Sequence, residues 1–231
     1  MDDETRSADS IRERHARLLA RLRETAAANG HDPNRLHIVA VTKGWPVDLC
    51  RAALDAGCEM LGENRVQEAE AKIAALPTAD WHLVGHLQSN KARRAVTAFG
   101  TIHSVDSVDL LRRIDELVSE TEGPTRVLLQ VNVSGETAKS GMAPEALSTI
   151  PAALPSAARL VGLMTIAPME ATEPEARAVF RRLRELRDGL EQSAGIGLPE
   201  LSMGMSADAD AAAAEGATLV RIGTALFGPR T

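Results

Sequence analysis

Eight short apolar runs, each separated from the next by more polar chain, constrain this sequence more than any other feature. They fall at residues 36–42, 59–62, 81–85, 101–105, 126–133, 159–166, 200–203 and 218–222. Several are nearly continuous in aliphatic residues rather than alternating, the pattern of parallel strands covered on both faces. Helical periodicity fills intervals between them, at 47–56, 66–76, 107–121 and 173–193. In the last interval Val179, Leu183, Leu186 and Leu190 form a stripe, read as core contact. Strand and helix alternating in this way predict an α/β fold, a (β/α)8 TIM barrel. An open doubly wound sheet is the alternative; the strand count and the lack of a G-x-G-x-x-G turn weigh against it. Ahead of the barrel, residues 7–28 read as an amphipathic helix with Ile11, Leu18, Leu19 and Leu22 on one side and Asn29-Gly30 as its stop. No linker or composition shift divides the chain. The expectation is one domain over residues 1–231, with the extra helix in about 1–30 and the barrel in about 36–231.

Composition enters as a filter on function. The chain carries 26 basic and 32 acidic residues, a net charge of −6, and aromatic residues make up only 2%. That excludes the basic, aromatic-laced surface of a nucleic-acid binder and the polybasic footprint of a membrane-surface protein. Lys91, Arg93 and Arg94 read as a solvated helix face. Cys50 and Cys58 form no metal pattern and are expected to be reduced, buried thiols. The acidic start M-D-D-E-T-R leads into no apolar stretch, so neither a secretory signal nor a membrane span is expected, and the cytoplasm is the expected compartment.

Barrel enzymes carry function on the loops that leave the C-terminal ends of their strands. Lys43 follows the first run at such an end. A lysine there is partly desolvated, which favours the neutral, nucleophilic amine that forms an imine with an aldehyde. The competing reading is a structural ion pair with Glu63 or another carboxylate. After the seventh run, M-G-M-S places Gly204 and Ser206 at the N-terminus of a short helix; after the eighth, R-I-G-T places Gly223 and Thr224 at the start of another. Backbone N–H groups and a hydroxyl at two adjacent helix starts suit a phosphate dianion. The competing reading is tight turns and a helix cap. A lysine for an aldehyde beside a cup for a phosphate fits pyridoxal 5'-phosphate (PLP), and it equally fits the sugar phosphate of an aldolase. His82 and His86 are four apart but lie on or beside a strand, so no metal site is expected, and His103 and Trp81 read as barrel wall.

The motifs in order resolve the fork by resemblance. The chain reads A-V-T-K-G around Lys43, L-G-E-N-R-V-Q-E from Leu61, W-H-L-V-G-H-L-Q-S-N-K from Trp81, and V-N-V-S-G-E-T-A-K-S-G ending at Gly141. It continues with G-L-M-T-I at Gly162, L-S-M-G-M-S at Leu201 and V-R-I-G-T-A-L-F-G at Val220. This series resembles the pyridoxal phosphate homeostasis proteins, a vitamin B6 family related to the N-terminal barrel of alanine racemase. The resemblance implies a fold-type-III PLP barrel without the racemase's second domain. It implies a PLP Schiff base on Lys43 and phosphate held by Ser206 with the backbone of Gly223 and Thr224. Arg221 would lie near the pyridine nitrogen, with Asn64 and Met164 around the ring. Departures from the family pattern are Gly44-Trp45 after the lysine, His86 where proline is usual, and Ala207 and Ala209 after M-S. The function implied is a non-enzymatic carrier or regulator of PLP, with apo PLP-dependent enzymes as candidate recipients; nothing in the sequence supports a second PLP site on another lysine such as Lys91 or Lys139. A PLP-dependent racemase-like enzyme is the alternative. Its usual second base is a tyrosine from another domain and subunit, and this chain has no tyrosine.

Overall fold

The computed structural model describes residues 6–121, 124–136, 140–150 and 155–229. Eight strands close into a barrel in the order β1-β2-β3-β4-β5-β6-β7-β8, and β1 also pairs with β8. They are β1 His37–Val41, β2 Met60–Glu63, β3 Asp80–Leu83, β4 Thr101–Val105, β5 Arg126–Gln130, β6 Arg159–Met164, β7 Glu200–Ser202 and β8 Leu219–Ile222. Every neighbouring pair is parallel. The barrel is therefore the fold expected from the eight apolar runs.

The strands alternate in the two directions they face. Val39, Val41, Val84, Leu128, Val161, Met164 and Leu219 pack together inside the barrel. Their chain neighbours, among them Ile38, Ala40, Leu83 and Val220, belong to the larger core between sheet and helices. This double burial explains the unbroken apolar runs.

The helices are α1 Ala8–Ala28, α2 Val47–Asp55, α3 Val66–Ala75, α4 Ala92–Ala98, α5 Val108–Val118, α6 Glu173–Ala194, α7 Ala209–Ala214 and α8 Thr224–Phe227. Ser7 caps α1 by accepting the Ser10 N–H at 3.2 Å. The apolar face of α1 buries Ile11, Leu18, Leu22 and Ala26 and packs on α2, α7 and α8. α7 is alanine throughout its buried positions. So small a helix lets α1 and α6 come close to the barrel, which suits a chain with few aromatic side chains. Glu215, just beyond α7, is buried and bound by Arg177 and Arg181 from α6.

Strand ends differ from the sequence expectation by a few residues. β5 stops at Gln130 rather than at 133 because Asn132 turns the chain, its side-chain oxygen accepting the Gly135 N–H at 3.1 Å. Between β5 and β6 the described residues hold a 3-10 helix at Pro144–Thr149 and no α-helix. Among the described residues no helix is long and apolar enough to cross a membrane.

Candidate functional site

A cavity of about 370 Å³ opens at the C-terminal mouth of the barrel. Lys43, Asn64, Ser206, Arg221, Gly223 and Thr224 all line it. These residues come from the ends of β1, β2, β7 and β8, so closing the barrel is what brings them together. Met164 does not reach the cavity. It is 1% exposed and packs inside the barrel with Val41 and Val84, which line the floor. Ile166, two residues further along the same face, takes the lining position.

Lys43 stands on a turn held from both sides. The Thr42 N–H donates to Gly62 O at 2.9 Å, and the Trp45 N–H returns to Thr42 O at 3.0 Å. Gly44 adopts φ 72°, a left-handed conformation that a β-carbon would disfavour. The Gly44-Trp45 departure thus makes a tight turn, and Trp45 lines the cavity while its ring meets Phe227 edge-on at 6.4 Å. The Arg6 guanidinium lies 4.5 Å from the Trp45 ring centre.

Glu63, the carboxylate weighed as a structural partner of Lys43, is fully buried and is bound by other groups. It accepts from Thr42 Oγ1 at 2.6 Å and from Lys72 Nζ at 2.6 Å. Lys72 Nζ also donates to Thr42 O at 2.9 Å. This Glu63–Lys72–Thr42 cluster fixes the backbone immediately before Lys43. Sequence reasoning missed Lys72. Its one signal was position, since it continues the inward line of Val66 and Ala69 on α3.

On the opposite rim, Ser206 Oγ accepts the Ala225 N–H at 3.4 Å, which ties the loop after β7 to α8. Ser206 lies in a turn ahead of α7, which begins only at Ala209, so it does not sit at the helix start as expected. Gly223 precedes α8, whose first N–H groups have no acceptor within the helix. Asn64 is placed by a close approach: a β-carbon on Gly85 would meet Asn64 O at 2.2 Å.

Arg221 is buried beneath these groups. Its Nη1 donates to Ser202 Oγ at 2.7 Å and its Nη2 to Thr165 O at 2.9 Å. Burial pushes the guanidinium down to about 10, which leaves it charged at neutral pH. Ser202 Oγ is also 2.7 Å from His103 Nδ1, and His103 Nε2 is 2.8 Å from His82 Nδ1. Burial, above all, holds His103 well below the usual histidine range. His82 therefore points into the barrel, whereas His86 is exposed and pairs with Asp106 at 3.1 Å. The two do not converge, and among the described residues no group of three or more metal-ligating side chains assembles. Cys50 and Cys58 are buried free thiols, and burial pushes Cys58 up to about 12. Lys139 lies outside the described residues.

The closed parallel barrel with a lysine and a polar cup at its mouth defines the class. A family model described as "Alanine racemase, N-terminal domain" matches residues 15–231. Solved alanine racemases share the fold, one from Corynebacterium glutamicum with a TM-score of 0.73 at 16% identity. Within that class, the chain belongs to the pyridoxal phosphate homeostasis protein family. A member from Pseudomonas aeruginosa is 46% identical over 227 residues, covering 96% of each chain. Another, from Aquifex aeolicus, is 40% identical over 94% of this chain and 97% of its own. The structure of PipY from Synechococcus elongatus with PLP bound is 42% identical, with a TM-score of 0.80 over 90% of this chain and 100% of that one.

Proposed function

We propose that this chain binds PLP at the barrel mouth and serves intracellular PLP homeostasis as a carrier or regulator without catalytic turnover. The observation that carries the reading is the meeting of Lys43, the Ser206–Gly223–Thr224 rim and buried Arg221 in one cavity of about 370 Å³. That volume lies within the range of cofactor pockets. Lys43 would hold the cofactor's aldehyde carbon through its amine. Ser206 and the backbone of Gly223 and Thr224 hold the phosphate. Arg221 would face the pyridine nitrogen and Asn64 would lie beside the ring, while Met164 supports the floor from the layer below. PLP, where bound, supplies an electron sink for carbanions at an amino acid's α-carbon. A permanently charged guanidinium at the ring nitrogen disfavours protonation there and weakens that sink. The racemase-like alternative also requires an opposed base, and the tyrosine that serves elsewhere is absent from all 231 residues. Residence in the cytoplasm and delivery to apo PLP-dependent enzymes belong to this same reading.

The test is an absorption spectrum of the purified protein with added PLP, before and after borohydride, with peptide mapping of the reduced lysine. One reduced adduct per chain mapping to Lys43 is expected. No adduct, or label scattered over surface lysines, refutes the reading.

A further inference from the structure

One line of buried polar groups crosses the barrel interior from the cavity to the opposite end. Arg221 on β8 donates to Ser202 on β7, Ser202 meets His103 on β4, and His103 meets His82 on β3, at 2.7, 2.7 and 2.8 Å. Ser202, His103 and His82 are at most 1% exposed. His82 Nε2 then lies 3.2 Å from Asp80 Oδ2 at the start of β3, close but not aligned as a hydrogen bond. Asp80 is held in turn by Arg126 Nη2, at 2.9 and 2.7 Å from its two oxygens. Burial alone would raise the Asp80 carboxyl, but His82 and Arg126 outweigh it and hold it well below the ordinary range.

The geometry favours one direction of donation along the His82–His103–Ser202–Arg221 contacts. An anionic Asp80 beside His82 Nε2 favours a proton on that nitrogen, because a lone pair there would face a carboxylate. His82 Nδ1 is then an acceptor, so His103 Nε2 carries its ring's proton. His103 Nδ1 must then accept, and the Ser202 hydroxyl donates to it. That turns the serine's lone pairs toward Arg221, which donates to them. The reversed wiring sets His82's lone pair against Asp80 and leaves the Ser202 proton without an acceptor. A doubly protonated His103 would place a second buried cation next to the Ser202–Arg221 contact.

We propose that His82 and His103 are positioning residues for the cofactor site, transmitting the charge of Asp80 at the barrel floor into the orientation of Ser202 and so into a single pose of Arg221. This rests on the PLP reading of the cavity. Arg221 keeps two of its donors on Ser202 and Thr165 and lines the cavity, where the ring nitrogen would lie.

Long-range proton–nitrogen NMR of ¹⁵N-histidine-labelled protein without PLP reports which ring nitrogen carries the proton. Neutral His82 and His103, both protonated on Nε2, are expected, and Asp80→Asn should scramble both. In PLP titrations Asp80→Asn should weaken binding about tenfold and shift the absorption maximum, the scale of one lost partner of a charged group. Ser202→Ala repeats the titration should Asp80→Asn fail to fold. Asp115→Asn controls for instability alone: it strips an anchored carboxylate on the outer wall, where Asp115 accepts the backbone N–H groups of Ser156, Ala157 and Ala158. It should leave spectrum and affinity unmoved. Nδ1-protonated or charged rings in the wild type overturn the proposal. So do PLP affinity and spectrum unchanged in both Asp80→Asn and Ser202→Ala. A wild-type chain that takes no PLP overturns the cofactor reading, and this role with it, whatever the tautomers.

Discussion

Replacing Lys72 with methionine keeps an apolar stem on the inward face of α3 and removes the ammonium that binds Glu63. The carboxylate is 0% exposed, and water cannot replace the lost partner without opening the α3–barrel seam. Breaking a buried pair by deleting one member costs about 3–5 kcal/mol. The Thr42 hydroxyl still donates to Glu63 at 2.6 Å, which places the cost toward the lower figure. At roughly 2–4 °C per kcal/mol for a domain of this size, the melting temperature should fall by roughly 6–12 °C. Adding Glu63→Met should recover most of the loss, since an apolar pair of similar volume replaces a buried ion pair nearly without cost. Thr42 Oγ1 then retains only its longer contact to Gly62 O at 3.4 Å. Thermal melts and urea titrations of the wild type, the single and the double variant provide the cycle. A Lys72→Met protein melting within about 2 °C of wild type, well short of that 3 kcal/mol floor, refutes the reasoning. A double variant less stable than the single refutes it as well.

Lys43→Ala should abolish the borohydride-reducible adduct while leaving weak, phosphate-anchored PLP binding; an adduct of unchanged stoichiometry in that variant overturns the lysine assignment. Gly85→Ala places a β-carbon 2.2 Å from Asn64 O, so the loop after β2 must shift. A loss of about 1–3 kcal/mol in denaturant unfolding, with weaker PLP binding, is expected, and wild-type values for both refute the close-approach argument. The pH dependence of stability follows from His103, lowered chiefly by burial, with His15 and His31 lowered by burial to a lesser extent. The folded chain keeps these rings neutral while the unfolded chain takes up protons below about pH 6.5. Their stabilisation is therefore complete above that pH and declines as the pH falls, with His103 contributing a slope of up to about 1.4 kcal/mol per pH unit. Unfolding of the PLP-free protein between pH 7.5 and 5.5 should show the decline, and stability that rises on acidification contradicts it.

The barrel was legible because strands buried on both faces cannot disguise themselves: the runs around Val39, Leu83, Leu128 and Leu163 leave no polar face to wet. That Lys43, Asn64, Ser206, Gly223 and Thr224 would line the cavity was legible because each follows the end of a run, and Arg221 because it closes the last one. Met164 went one layer too deep. It shares a face with Ile166, and a two-residue period fixes the face but not the depth at which the barrel's filling ends and its cavity begins. The Glu63–Lys72 pair was beyond reach for another reason: a lysine on an inward helical line has no visible partner until α3 is laid on β2. The histidine line is the same difficulty extended. Alternation puts His82 inside with Val84, but its chain of contacts runs through β4, β7 and β8, and only closure of the barrel supplies those neighbours.

The site's exposure is graded, and the grading bears on what the chain does with its cofactor. Arg221 is buried, Lys43 is half-buried, and Ser206 and Thr224 stand exposed at the rim. The ring end of the ligand would therefore meet fixed, desolvated charge, and the phosphate end would meet groups in contact with water. Contacts to an exposed phosphate are screened by salt and exchange readily, whereas an imine on Lys43 would be made and broken by chemistry. A catalyst gains by burying both ends, because excluded water strengthens each electrostatic contact at the reacting atoms. A carrier gains by leaving one end open, since release then waits on the lysine alone. On the function proposed above, retention set by one covalent bond, beside a charged arginine that quiets the ring, would suit a protein that keeps PLP and gives it up again.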